Sequence, residues 1–248
     1  MKISIITVCY NSISTINETI VSVRNQSFEN VEYIIVDGNS NDGTLKIIQD
    51  HPDTINTYVS EPDKGLYDAM NKGISMATGD LIGILNADDT FHHDTVLEEV
   101  AAFHHNNSIE ASVGNIIQHD KTGKVKRVYS AKNWNPEKLK VGFMPAHPAI
   151  FFKRELFEKF GNYHLDFTIG ADYELITRFF LKNGISWQYS GITTTSMLVG
   201  GLSSSGISSY KLISTEIAKA LSRNGIKFSK LRINNRWVWK LVGFINKK

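Results

Sequence analysis

Cysteine is almost absent: Cys9 stands alone among 248 residues. No intramolecular disulfide can form, and neither a CxxC redox pair nor a cysteine metal cluster can be built. A reducing, cytoplasmic setting is the resulting expectation. Long apolar runs are missing too. No stretch reaches 18 apolar residues, and the most apolar tail segment, residues 237–245, is interrupted by Lys240 and too short to span a bilayer. The opening run from Ile3 to Val8 halts at Cys9-Tyr10-Asn11 without a small-residue cleavage site, so it reads as a first strand and not a leader. Neither GxGxxG nor a P-loop follows that strand, which argues against dinucleotide-dependent dehydrogenases and ATPases. Hydrophobic content of 42% and charged content of 21% exclude a disordered, collagen-like or disulfide-framework chain.

Net charge is only +2, yet it is unevenly spread. Residues 1–80 carry five Lys/Arg against eleven Asp/Glu, a net of −6, whereas residues 206–248 carry ten against one, a net of +9. A basic segment of that kind meets anionic lipid or nucleic acid, or simply presents a solvated helical face.

The first ninety residues alternate apolar, β-rich runs with helix-like segments. Strands are predicted at 3–9, 31–37, 57–60 and 80–85, and helices at 14–26, 44–50 and 66–77. This rhythm implies parallel strands flanked by helices, and in open α/β sheets the ligand sits beyond the carboxyl ends of the strands. Each predicted strand runs into a polar cluster: Tyr10-Asn11-Ser12, Asp37-Gly38-Asn39-Ser40, Glu61-Pro62-Asp63-Lys64-Gly65 and Asn86-Ala87-Asp88-Asp89. Four clusters would meet on one rim. The adjacent carboxylates of the last suit a hard divalent cation sharing a diphosphate, although Asp88 or Asp89 could equally cap a helix near residues 93–105. Asp37 and Asp63 could each meet a nucleotide base or ribose, or simply form turns.

Beyond residue 110 an α+β half is predicted. It has a hairpin of 111–118 with 125–129, strands at 148–152 and 186–190, and helices at 154–160 and 171–183. Residues 200–206, rich in Gly and Ser, read as a loop and a candidate lid. Two helices follow, at 208–223 and 229–245; the second is amphipathic and basic, fit for a membrane interface or for packing on the domain. His92-His93 and His104-His105 show no metal-ligand spacing.

Taken together, Ser4-Ile5-Ile6-Thr7-Val8-Cys9-Tyr10-Asn11, the run from Tyr33 to Thr44, the run from Asp63 to Gly73, and Asn86-Ala87-Asp88-Asp89 resemble the glycosyltransferase family 2 enzymes of GT-A fold. The resemblance covers roughly residues 3–200. It implies a Rossmann-like, mostly parallel central sheet flanked by helices. Residues 1–205 would form the GT-A domain, with 1–115 binding the nucleotide-sugar and 116–205 the acceptor, and 206–248 would form a basic helical tail. It further implies inverting transfer from a nucleoside-diphosphate sugar, uridine diphosphate foremost, to a hydroxyl of a glycan or lipid-linked acceptor in bacterial surface polysaccharide assembly.

Carried over residue by residue, Thr7 and Tyr10 border the nucleotide, Asp37 and Asp63 contact its base, and Asn86-Ala87-Asp88 stands at the DxD position. There Asp88 would bind Mn²⁺ or Mg²⁺, and Asn86 the ribose. Gly170-Ala171-Asp172-Tyr173-Glu174 matches the motif that supplies the general base, Asp172, with Asp166 and Glu174 as substitutes. His147 falls on the acceptor side. The processive Gln/Arg-x-x-Arg-Trp motif is not reproduced, so one sugar per encounter is expected. Anionic membrane is an expected contact of the tail. The competing readings are a non-catalytic binding module on the same fold, a nucleotidyltransferase, disfavoured because no GxGxR-like loop occurs, and a nucleic-acid binder, for which no motif accompanies the charge.

Overall fold

β-Branched residues dominate the first two strands, and all seven residues of β1 (Ile3–Cys9) are buried. Near-continuous apolar runs of this kind belong to parallel strands covered on both faces. The computed structural model describes residues 1–199 and 206–235. In it β1 pairs in parallel with β2 (Val31–Asp37) and β4 (Leu81–Ile84), and β2 with β3 (Thr57–Ser60). Helices α1 (Ile16–Arg24), α2 (Thr44–Gln49) and α3 (Leu66–Met76) connect them. The α1 stripe Ile16, Ile20 and Val23, spaced four and three residues apart, is buried in the same core as Ile3, Ile5 and Tyr33. Each such side chain contributes about 1.5–3 kcal/mol by leaving water.

The sheet then turns mixed. Its order is β3-β2-β1-β4-β8-β6-β9-β5, with β7 on β6. The later elements are β5 (Asp89–Phe91), α4 (Val96–Asn106), β6 (Ala111–His119), β7 (Val125–Tyr129), β8 (Ile150–Lys153), α5 (Glu155–Phe160), α6 (Ala171–Ile176), β9 (Trp187–Leu198), α7 (Gly206–Arg223) and α8 (Lys230–Asn234). The arrangement is the expected α/β, mostly parallel GT-A sheet in its first half. By contacts the chain divides into two compact units. One comprises 1–133, 145–165 and 186–199; the other comprises 134–144, 166–185 and 200–248.

Several elements differ from the sequence-based expectation. The strand expected at 148–152 begins at Ile150, because His147–Ala149 form a 3-10 turn in which Pro148 has no N–H to give a ladder. The strand expected to end at 190 continues to Leu198; Gly191, at φ +76°, marks the register shift where it pairs with β6. The helix expected at 171–183 is α6 continued by a π-helical segment, Thr177–Lys182. Gly206 opens α7 instead of closing the preceding loop. Residues 200–205, the candidate lid, and 236–248, most of the expected amphipathic helix, lie outside the described residues. Among the described residues no helix is long and apolar enough to cross a membrane.

Candidate active site

Register places the strand ends together. Cys9 sits opposite Asp37, and Asp37 opposite Ser60, so β1, β2 and β3 finish at one level. The chain leaves β4 at Leu85, whose N–H bonds the carbonyl of Ile6, and delivers Asn86–Asp89 to the same rim. The four polar clusters therefore share one edge, as their spacing led one to expect.

Two asparagines there, Asn11 (φ +51°) and Asn39 (φ +65°), adopt the left-handed backbone that Asn tolerates better than most residues. Side chains knit the two loops. The Asn11 N–H donates to Ser40 Oγ at 2.8 Å and the Asn41 N–H to Asn11 Oδ1 at 3.0 Å. The Ser12 N–H donates to Thr44 Oγ1 at 2.8 Å, and the Ile13 N–H to Asp42 Oδ2 at 3.0 Å.

Asp37 is fully buried inside this mesh. Its carboxylate accepts from the Ser40 N–H and hydroxyl and from Ser60 Oγ, at 2.6 Å, with the Cys9 thiol at 3.6 Å. It thus fixes the turn. Thr7 is likewise buried and accepts from the Tyr33 hydroxyl at 3.0 Å. Burial, then the Asp37 charge, push the Cys9 thiol far above its ordinary range, so Cys9 is an inert core residue and not a nucleophile.

At the rim Tyr10 and Asp63 pack against the buried Gly38. Tyr10 is 63% exposed. A Cβ added at Gly38 would stand 2.5 Å from Asp63 Oδ2 and 3.4 Å from Tyr10 Cδ2, so carboxylate and ring close on a position only glycine leaves open. Asp63 is held by the Gly65 N–H at 2.7 Å, and Gly65 takes φ +107° at the start of α3. Helix α3 approaches β1 closely: a Cβ on Gly73 would come within 2.4 Å of Ile6 Cγ2.

The motif that contains Asp63 also carries a latch. Tyr67 stacks on Tyr163 with centroids 5.6 Å apart. Asn71, four residues on and so on the same helical face, gives to the Tyr163 carbonyl and accepts from its N–H, both at 2.9 Å. Tyr163 in turn bonds His147 Nε2 at 2.6 Å, and burial pushes the His147 pKa down to about 4, so the ring is neutral near pH 7. This chain of contacts was not legible in the sequence. The four-residue spacing of Tyr67 and Asn71 was its only trace.

At the β4 end, Asp88 is exposed and Asp89 is 1% exposed. Asn86 Nδ2 donates to Asp89 Oδ2 at 3.1 Å, while Asp89 Oδ1 has no hydrogen-bond partner among the described residues. Burial, then the neighbouring Asp88, raise the Asp89 pKa to about 7, against the pull of Asn86. Neither acid caps a helix: α4 starts after Thr95, and Asp89 belongs to β5. Among the described residues no group of three His, Cys, Asp or Glu forms a metal cage. The exposed Asp88 carboxylate is a hard oxygen donor of the kind a divalent cation takes.

In the second unit, Asp172 is half-buried at the opening of α6, and its Oδ1 accepts the Tyr173 N–H at 2.7 Å. The two substitutes are engaged elsewhere. Glu174 is fully buried, paired with Arg178 at 2.9 Å and accepting from Asn224 at 3.0 Å. Asp166 takes a bidentate Arg223 at 2.7 and 2.8 Å and Lys219 at 2.9 Å, which holds its carboxyl well below the usual range. So weakly basic a group is unsuited to taking a proton.

Comparison with known proteins bears on the family and the fold. Residues 4–168 match the model of glycosyl transferase family 2. An uncharacterized glycosyltransferase of Mycobacterium tuberculosis is 34% identical over 179 residues, 71% of this chain and 68% of the relative. A PGL/p-HBAD biosynthesis glycosyltransferase of Mycobacterium bovis is 28% identical over 204 residues, 81% and 78% of the two chains. Among solved structures, S. aureus TarS 1-349 in complex with UDP-GlcNAc superposes at TM-score 0.72 with 18% identity, covering 94% of this chain and 69% of that one. The mannosyltransferase PcManGT from Pyrobaculum calidifontis, in complex with GDP-Man and Mn²⁺, gives 0.65 with 19% identity, covering 90% and 63%. The fold is that of a GT-A glycosyltransferase. The chain belongs to glycosyl transferase family 2 and is a glycosyltransferase.

Proposed function

We propose that this enzyme is an inverting, non-processive transferase that moves a sugar from a nucleoside-diphosphate sugar to a hydroxyl of a glycan or lipid-linked acceptor. The observation that carries the donor reading is that Tyr10 and Asp63 meet over Gly38 on the same strand-end rim as Asp88. Tyr10 supplies a ring face and Asp63 a carboxylate to the base, while from beneath Asp37 fixes its turn and Thr7 ties β1 to β2 through Tyr33. Asn86 contributes to the ribose. Uridine diphosphate is the first candidate, supported by the TarS likeness, with guanosine diphosphate next, supported by the mannosyltransferase.

Asp88 is the residue that would hold Mn²⁺ or Mg²⁺, and such an ion neutralises charge gathering on a departing diphosphate. Asp172 takes the proton of the acceptor hydroxyl. As that oxygen bonds to the anomeric carbon, the bond from carbon to phosphate oxygen breaks, and the nucleoside diphosphate leaves with the electron pair. The assignment of Asp172 rests on its motif and its place at the opening of α6. His147 enters as a neutral hydrogen-bonding group on the acceptor side. Peripheral contact of the basic tail with anionic membrane completes the proposal, since lipid-linked acceptors reside there.

Nucleoside diphosphate release from UDP- and GDP-sugars with Mn²⁺ tests the reading. Asp172→Asn is expected to lower kcat on the order of 10²–10⁴-fold with donor affinity kept. Asp88→Asn is expected to weaken the Mn²⁺-dependent part of donor binding. Wild-type turnover by the first variant would refute the base, and unchanged Mn²⁺-dependent affinity in the second would refute the metal ligand.

A further inference from the structure

We propose that helix α7 is a positioning element for the catalytic base, and that Glu216 is its key residue. The inference rests on the reading of Asp172 as base. The segment leading into α6, Asp166-Phe167-Thr168-Ile169-Gly170, has no regular structure of its own. Instead α7 holds it at successive points. Arg223 and Lys219 clamp the Asp166 carboxylate, and the same two cations lie over the buried Phe167 ring, 5.4 and 4.3 Å from its centroid.

Glu216, only 5% exposed, accepts the N–H groups of both Thr168, at 2.6 Å, and Ile169, at 3.0 Å. Its carboxylate also closes over Gly170, where an added Cβ would stand 3.0 Å from Glu216 Oε2 and 3.1 Å from its Cβ. Beyond Asp172, Asn224, just past the end of α7, reaches Glu174. Asp172 is thus bracketed on both sides by one helix.

Three of these residues, 216, 219 and 223, step by three and four, which sets them along one face of α7, and Asn224 follows the helix end. Ile217, Ala220 and Leu221 beside them are buried. Two consecutive backbone N–H groups on one buried carboxylate fix the chain direction, and hence the angle at which α6 presents Asp172. A general base loses rate when its oxygen is misplaced by even about 1 Å. α7 is on this view part of the acceptor-activating apparatus and not a separable tail.

The test compares wild type with Glu216→Ala, Glu216→Gln and Asp172→Asn in the full chain, using UDP-GlcNAc and GDP-mannose with Mn²⁺. Glu216→Ala is expected to lower kcat at least tenfold while donor KM stays within threefold. Glu216→Gln, which keeps one acceptor oxygen, is expected to recover part of the loss. Amide exchange at Thr168 and Ile169 is expected to accelerate in Glu216→Ala while the protection of α7 itself is kept. A kcat within threefold of wild type, or a kcat loss matched by equal losses in KM and melting temperature, overturns the proposal. So does unchanged exchange at the two amides. Should Asp172→Asn turn over normally while Glu216→Ala does not, the base assignment fails and the loop clamp stands. If neither donor is consumed, the donor reading is at fault and amide exchange alone decides the clamp.

Discussion

Replacing Gly38 by alanine adds one carbon beneath Asp63 and Tyr10, the residues proposed to meet the nucleotide base, and is expected to weaken donor binding without unfolding the protein. Gly38 is not among the residues at positive φ, so alanine is conformationally acceptable. The new Cβ would lie 2.5 Å from Asp63 Oδ2, against an ordinary contact of at least 3.4 Å, and that oxygen must withdraw by about 0.9 Å. The withdrawal is cheap for the fold, since the moving atom ends a flexible side chain anchored through its other oxygen to Gly65. It is expensive for a ligand. A hydrogen bond of about 2.8 Å stretched to roughly 3.7 Å is no longer a bond. Loss of one charge-assisted hydrogen bond removes about 1.5–3 kcal/mol. At ~1.4 kcal/mol per decade this is roughly 10- to 150-fold in Kd. Calorimetric titration with UDP and with GDP, each with Mn²⁺, measures it, and a melting curve supplies the control. The expected melting shift is below about 4 °C, equivalent to ~1 kcal/mol in a chain of this size. Affinities within threefold of wild type for both nucleotides would refute the placement of the base beside Asp63.

Two further outcomes concern stability. Glu32 is buried but accepts from Lys2 Nζ at 2.7 Å, Ser4 Oγ at 2.5 Å, and the Thr78 hydroxyl and N–H at 2.6 and 2.7 Å. Burial alone would raise its pKa, yet these bonds bring it down to about 2. A lowered carboxyl pKa stabilises the fold above the unfolded value near 4.3 and loses that contribution as pH falls through 2; Glu32→Gln should cost about 3 kcal/mol at pH 7 and progressively less below pH 4. Urea unfolding at several pH values checks it, and a pH-independent difference would contradict the linkage. Gly73→Ala forces a Cβ to within 2.4 Å of Ile6 and should destabilise by about 1–3 kcal/mol, the usual range for overpacking. A neutral result by chemical denaturation would mean that α3 can shift off β1 freely.

Much of the first half could be read from residue order alone. Near-continuous β-branched runs in β1 and β2, periodicity of three and four in α1, and polar punctuation after each strand are local properties, and local properties survive in a sequence. The rim followed from them, because parallel strands joined by helices must end on one side. Asp88 at an exposed strand end was legible for the same reason. The second half was less so. The strand predicted at 186–190 runs on through Gly191 to Leu198, since only pairing with β6 shows the irregularity there to lie within one strand.

Tertiary structure alone decided which polar side chains face solvent and which are structural. Asp37 and Asp63 look alike in sequence, both acids in turns after strands. Burial makes the first a pin for the loop and leaves the second half-buried against Gly38. Asp166, Asp172 and Glu174 likewise share one short stretch. The partners that engage Asp166, and the Asn224 that joins Arg178 at Glu174, come from residues about fifty positions away. The sequence by itself determined the strands, the helices and the chemical types gathered at the rim, because those depend on neighbours in the chain. Which carboxylates are committed to the fold depends on neighbours in space, and that was settled only when α7 packed against the start of α6.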